Sequence, residues 1–423
     1  MTPGSNTDAL LEHLFRHQAG RMVGHFARLF GPAHLDAAEE AVQEALLRAV
    51  QTWPYSGAPD NPAAWLYRVA HNAAIDAIRR RRLFAAKAET LVAELSEAAA
   101  QNPEDADLDE RLRDDELRMI FMCCHPEIPR EARIALSLKT VGGFSVREIA
   151  RAFLADEAAI AQRLVRAKRQ IRDRNLTLEM PRGAELEERL DAALDVIYLM
   201  FNEGYAAHEG EDLIRQDLCY EALRLGQSIA ASSMSRPRVH ALVALLALQA
   251  ARLPARVNEE GDLILLDSQD RSRWDRRLMA VGFYHFDRSI GGDSVSRYHV
   301  EAAIAATHAR APDAQSTDWR VILELYDELL ALSASPVVAL NRTVAMAKVH
   351  GAGRALRELT VLERERRLQD YYLVLAVRGH LLMELGRNRE AAECFRAALQ
   401  CRCSEPEKRF LKKKLEIAAS VQA

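Results

Sequence analysis

Long apolar runs are missing from this chain of 423 residues. A membrane-spanning helix needs about 18 consecutive apolar residues. The best run, Val239–Leu248, is shorter and carries His240. The N-terminus has no basic-then-apolar signal pattern, so a cytoplasmic chain with no membrane partner is expected. Cysteine is scarce, at six residues. Its only clusters, Cys123-Cys124-His125 and Cys401-x-Cys403, lack the paired C-x2-C spacing of a zinc site. Buried or idle thiols, no metal and no cofactor are therefore expected. Aromatics make up 6%, and the 19 Gly and 14 Pro together are under a tenth of the chain. Folds of short strands and tight turns need more of both. A large excess of either charge is also missing. The net charge of −4, taken alone, argues against nucleic-acid binding.

What is abundant is Ala and Leu, which favour helix; an all-α fold is expected. Asp36–Val50 is amphipathic. A Pro/Gly-rich break, Trp53–Pro62, follows it. Asn61 is a good N-cap and Pro62 suits the first helical position, and the helix they open runs to Arg79-Arg80-Arg81-Arg82. Ten acids stand against Arg111 and Arg113 between Glu94 and Glu116, with Pro103 among them. This reads as an acidic linker running into a helix. Met180-Pro181-Arg182-Gly183 marks a boundary. Beyond it the periodicity is helical, except for a β-like piece, Asp262–Leu266. Near the C-terminus Gly379, Leu382, Leu385, Gly386, Ala391, Phe395 and Ala398 fall on tetratricopeptide spacing. A weaker copy, Ala355 and Leu359, lies 36 residues upstream. Paired helices of this kind build binding surfaces.

The sharpest local signal is Phe144–Arg172. Ser145-Val146-Arg147-Glu148 fits a capping box opening a helix, Val146–Phe153. Leu154-Ala155-Asp156 makes a turn, and Asp156 is placed to cap the next helix. There Ile160, Leu164, Ala167 and Ile171 form one apolar stripe. Gln162, Arg166 and Arg169 point away from it, with Arg163 on the flank. Six basic residues and one acid lie between Arg163 and Arg174. This is the layout of a helix-turn-helix whose second helix enters the major groove, where the planar Arg fork reaches bases and phosphates.

An enzyme is not expected. Asp267, Asp270, Arg271, Trp274, Asp275 and His285 are the candidates for a cleft. No nucleophile–base pair, metal spacing or phosphate loop accompanies them, so no catalytic residue is assigned.

Two further segments narrow the choice. Leu35–Ala49 resembles the core-polymerase-binding helix of bacterial sigma factors. Pro62–Arg80 resembles the helix that follows their −10 recognition loop. With Phe144–Arg172 as the counterpart of domain 4, the order is similar to that of extracytoplasmic-function (ECF) sigma factors, over roughly the first 180 residues. The long tail, with Tyr198–Tyr205 and Asp270–Asp275, resembles the subgroup carrying a C-terminal tetratricopeptide-like domain. The resemblance implies sigma domain 2 at 8–84, an acidic linker at 85–112, sigma domain 4 at 113–176 and a helical tail at 185–423. It implies polymerase docking by Glu39, Glu40, Gln43 and Glu44. Tyr55, Asn61, Asn72, Arg79 and Arg80 would serve the −10 element, the loop Trp53–Asn61 capturing an unstacked base. Gln162, Arg163, Arg166 and Arg169 would serve the −35 element. The implied partners are core RNA polymerase and promoter DNA; the tail itself is expected to act either by docking against domains 2 and 4 or by recruiting a protein ligand. The tail is expected to control activity. One departure stands out: Ala161 and Gln162 occupy positions that are often Lys and Ser in the family, so the −35 preference is expected to be unusual. The rival reading is a stand-alone helix-turn-helix regulator with a helical sensor domain. It leaves the Gln43-Glu44 and Trp65–Asn72 blocks unexplained.

Overall fold

The computed structural model describes residues 18–81, 105–153, 155–205, 215–292, 294–363, 365, 368, 371–401 and 403–420. Most of the acidic linker, Arg82 and Leu154 lie outside them. The chain falls into two compact units, Met1–Val196 and Ile197–Ala423.

The first unit holds α1 (residues 18–30), a 3-10 turn (Pro32–His34), α2 (Leu35–Ser56), α3 (Pro62–Arg81), α4 (Asp105–Cys123), α5 (Arg130–Thr140), α6 (Val146–Phe153), α7 (Glu157–Asp173) and the first part of α8 (Gly183–Tyr205). Buried Leu35, Ala38, Val42, Ala45, Leu46, Ala49 and Trp53 run down one side of α2, and α3 packs back on it. Helix α2 continues through Trp53, Pro54 and Tyr55, past the point where the break was expected. Pro54 lies in the last turn, where it forfeits the bond to the Val50 carbonyl and its ring crowds that carbonyl, and the helix ends two residues later. The chain leaves the helix at Gly57, whose φ of 79° suits glycine. Asn61 caps α3 through the Ala64 amide at 3.0 Å. The capping box of α6 is present in both directions, Ser145 N to Glu148 at 2.7 Å and Glu148 N to Ser145 at 3.1 Å. Asp156 sits at the N-cap of α7 with extended backbone, but its side chain makes no capping bond.

Helix α1 lies unusually close to α4 and α5. A Cβ on Gly20 would fall 1.8 Å from the Val141 carbonyl oxygen, and one on Gly24 would fall 2.8 Å from that of Asp115. Both obstacles are backbone, so the helices must part to admit a methyl group. Gly20→Ala is expected to lower the stability of this unit by about 1–3 kcal/mol, despite the helix propensity gained. Chemical denaturation followed by Trp53 and Trp65 fluorescence checks this.

The second unit continues with α9 (Gln216–Ala230), α10 (Pro237–Ala250), α11 (Arg276–Ser289), α12 (Arg297–Arg310), α13 (Trp319–Leu332), α14 (Pro336–His350), α15 (Ala352–Leu362), α16 (Tyr372–Glu384), α17 (Asn388–Ala398) and α18 (Glu405–Ser420). Most pack chiefly on their neighbours in sequence, while α12 packs chiefly on α10, two elements back. The apolar run Val239–Leu248 is buried throughout and forms the middle of α10. Gly379 permits the α16–α17 crossing, since a Cβ there would lie 2.8 Å from the Phe395 ring. No helix among the described residues is long and apolar enough to cross a membrane. All six thiols are free, with Cys123, Cys124, Cys219 and Cys403 buried.

The β-like segment Asp262–Leu266 is not a strand. One antiparallel bridge, Val257 to Leu263, is all that forms. The segment turns back at Gly261 and bonds to its own upstream arm, Ile264 N to Arg256 O at 2.8 Å. Among the described residues its apolar run Leu263–Leu266 packs without a partner strand.

Candidate nucleic-acid interface

On α7 the stripe Ile160, Leu164, Ala167 and Ile171 is buried. Gln162, Arg166 and Arg169 are exposed on the opposite side. Val165 shares that face and is 65% exposed. It went unnoticed because an apolar residue was not sought there, although its i+3 spacing from Gln162 marks it. A methyl-bearing side chain between polar ones can meet a thymine methyl. Arg169 reaches Asp173 at 3.1 Å, an exposed pair worth little. Arg163 differs from the other three: it is half-buried and lies 3.3 Å from Glu131. Arg166 keeps an exposed guanidinium with no ion pair among the described residues.

Around the predicted −10 elements, Trp53 is buried and meets Trp65 edge to face at 5.4 Å between ring centroids. It belongs to the core, and the free loop is residues 57–61. Tyr55 is 92% exposed at the end of α2. Asn72 is exposed on α3, about 15 Å along the axis from the helix start. Tyr55, in the last turn of α2, and Asn61, at the far end of the loop, flank it, and Asn72 stands apart. Arg68, exposed and four residues before Asn72, lies on its face. It is a further cation that the basic run at the helix end overshadowed. Arg79 and Arg80 fall within α3, with side chains outside the description.

On α2, Glu40 and Gln43 are exposed, and Glu44 holds Arg48 at 2.9 Å. Leu47 and Val50, at 52% and 44% exposure, continue the Gln43 face at i+4 and i+7. An apolar stripe edged by polar side chains on a solvent-facing helix suits a protein partner. Glu39 is not open to solvent. Lys168 of α7 donates to Asp36 at 2.6 Å and to Glu39 at 2.9 Å. Burial alone would lower the Lys168 ammonium, but the two carboxylates outweigh it and raise it.

Beneath these surfaces lies an ionic cluster. His25 Nδ1 is 2.8 Å from Asp115, and its Nε2 is 3.1 Å from the Tyr67 hydroxyl. Arg28 reaches the other Asp115 oxygen at 2.8 Å, and Arg21 lies 3.3 Å from Glu116. Burial would push the Asp115 carboxyl up, but the His25 hydrogen bond and the Arg28 charge hold it below the usual carboxylate range.

The residues weighed for a catalytic cleft are spread among structural tasks. Asp267 pairs with Lys348 at 2.6 Å. Asp270 and Asp275 cap helical turns. Arg271 donates to the carbonyls of His308 and Ala311 and to the Thr317 hydroxyl, with its guanidinium 5.1 Å from the Trp274 ring. His285 faces His240 at 2.8 Å. Among the described residues no group of three or more His, Cys, Asp or Glu is placed to hold a metal ion.

Residues 14–84 match the family Sigma-70 region 2, and residues 118–171 match Sigma-70, region 4. Residues 189–290 match a family of unknown function, DUF6596. An uncharacterized protein of Rhizobium meliloti (strain 1021) is 40% identical over 402 residues, spanning 95% of this chain and 94% of its own. No solved structure matches the chain.

Proposed function

We infer that this chain, which belongs to the ECF-type sigma factors with an added C-terminal helical domain, docks on core RNA polymerase through α2 and directs initiation by reading promoter DNA with α3 and α7. The carrying observation is the division of α7 into a fully buried stripe and an opposite face of Gln162, Val165, Arg166 and Arg169. A helix packed on one side and cationic on the other can enter a groove without unpacking. The solvent face of α2, Gln43 with Leu47 and Val50, supports a second and separate docking surface. Glu40 and Glu44 would add charge complementarity to a basic partner. The near-neutral total charge fits a subunit that gains most of its DNA affinity from a larger enzyme. The long tail is read as the controlling element of sigma activity.

Run-off transcription with purified core enzyme on genomic promoter fragments tests this. Specific transcripts dependent on the chain are expected. Tight duplex binding by the chain alone, with no core-dependent initiation, would favour the stand-alone regulator instead. Removing residues 185–423 is expected to change promoter output at equal protein level.

The contact of Lys168 with Asp36 and Glu39 bears on the docking step. While it holds, Glu39 is engaged within the chain. Lys168→Ala is expected to tighten core binding by about fivefold, the equivalent of roughly 1 kcal/mol. Fluorescence anisotropy of labelled protein against core enzyme reads this. Weaker binding by the variant would show that the pair does not compete with polymerase.

A further inference from the structure

The segment Asp262-Leu263-Ile264-Leu265-Leu266-Asp267 lies across one face of the helical array, held at both ends by charge. Asp262 accepts from Arg409 at 2.6 Å and from Lys413 at 2.5 Å, both on α18. Arg409 also donates to the Gly261 carbonyl at 3.0 Å. At the other end Asp267 pairs with Lys348 of α14 at 2.6 Å. The apolar residues between these anchors are incompletely covered, and Leu265 is 39% exposed. Beside Leu265 and Leu266 an apolar cavity of about 250 Å³ stays open, walled by alternate helices α14, α16 and α18 through Val344, Val377 and Phe410, with Trp319 alongside. At its rim Lys414 stands 5.6 Å from the centre of the Phe410 ring. It has no carboxylate partner among the described residues.

We propose that this face is a peptide-binding groove, that Asp262–Asp267 is its internal occupant, and that its partner is an extended segment of another protein with aliphatic residues between two carboxylates. Charge complementarity selects the chemistry. Arg409 and Lys413 mark one end and Lys348 the other, matching a ligand acidic at both ends. Lys414 offers a further cation for a partner's carboxylate. The cavity lies below the roughly 300 Å³ at which pockets for whole small molecules begin. It suits one or two aliphatic anchors of a chain docked along helices. The internal segment fills the charged positions and leaves the cavity partly empty, so a better-fitting segment can replace it. Occupancy by the internal segment lowers the apparent affinity for any external one in proportion to the time the groove is filled.

This deepens the reading of the tail as the controlling element and names the partner's chemistry. Its test involves no polymerase, so the two readings fail separately. A fluorescein-labelled peptide of sequence Gly-Asp-Leu-Ile-Leu-Leu-Asp-Ser, blocked at both termini, is titrated with the full-length chain. The wild-type chain is expected to bind it weakly. Asp267→Asn, which loosens the internal segment at its more exposed anchor, is expected to bind about two- to fivefold more tightly. Arg409→Glu together with Lys413→Glu is expected to lose binding in either background. The peptide with both Asp replaced by Asn should not bind. Thermal melts by circular dichroism establish that each variant is folded, and Lys413→Glu alone serves if the double change unfolds the chain. No gain on loosening, or binding insensitive to the α18 charges, would overturn the proposal.

Discussion

Arg166→Glu is expected to remove promoter-directed transcription, by about 10- to 100-fold, while core-polymerase binding stays at the wild-type level. Arg166 is exposed, has no ion pair among the described residues and stands at the centre of the outward face of α7. Reversal leaves the buried stripe untouched, so the helix keeps its seat. In the groove it replaces a bidentate donor with a carboxylate that repels phosphate. Arg163→Glu is expected to do less to DNA binding, because Arg163 is half-buried beside Glu131 at 3.3 Å. Two readouts are needed: run-off transcripts for promoter use, and co-elution with core enzyme for docking. Equal losses in both would place Arg166 in the polymerase interface. Unchanged transcription would remove α7 from DNA recognition.

The largest stability effect is expected at Asp115. Its carboxylate is the common acceptor for His25 and Arg28, which come from α1, and its side chain is 4% exposed. Asp115→Ala leaves His25 buried without its partner, while Arg28, 44% exposed, retains water. The cost is expected near the lower end for a broken buried pair, about 3 kcal/mol. It should depend on pH in one direction. Because the folded protein holds the Asp115 carboxyl below its ordinary value of 3.8, the contribution is complete above that value and fades as pH falls through the folded one. Wild type and variant should differ fully at neutral pH and converge in acid. Denaturant midpoints measured across that range check the sign. A gap that widened in acid would contradict the assigned ion pair.

How much of this was legible in the sequence depended on distance along the chain. The Ser145–Glu148 box, the Asn61 cap and the α7 stripe are patterns of three to four residues, and each formed where the pattern placed it. Val165, Leu47, Val50 and Arg68 obey the same periodicities. Val165, Leu47 and Val50 are apolar residues on faces otherwise marked by polar ones, and the Arg run at the end of α3 masks the single Arg68. Pro54 does not itself stop α2, which runs two residues past it and ends before Gly57. The short apolar run Leu263–Leu266 imitated a strand, but its flanking carboxylates, Asp262 and Asp267, meet cations on helices. Three contacts had no local signature. His25 meets Asp115 across 90 positions, Lys168 meets Asp36 across 132, and Arg409 meets Asp262 across 147. The last two tie a candidate site to another element, which periodicity alone does not encode.

The succession of neighbour-on-neighbour helices in the second unit also governs how the tail comes apart. An array of this kind opens first where a helix has few partners, and α18 packs chiefly on α17. Helix α18 would therefore fray first and exchange its amide hydrogens fastest, with protection rising inward toward α10. The anchors from Arg409 and Lys413 back to Asp262 interrupt that order by tying the last helix to a point far upstream. Amide exchange at α18 thus reports whether that tie is made, giving a readout at the chain end for events in the middle of the tail.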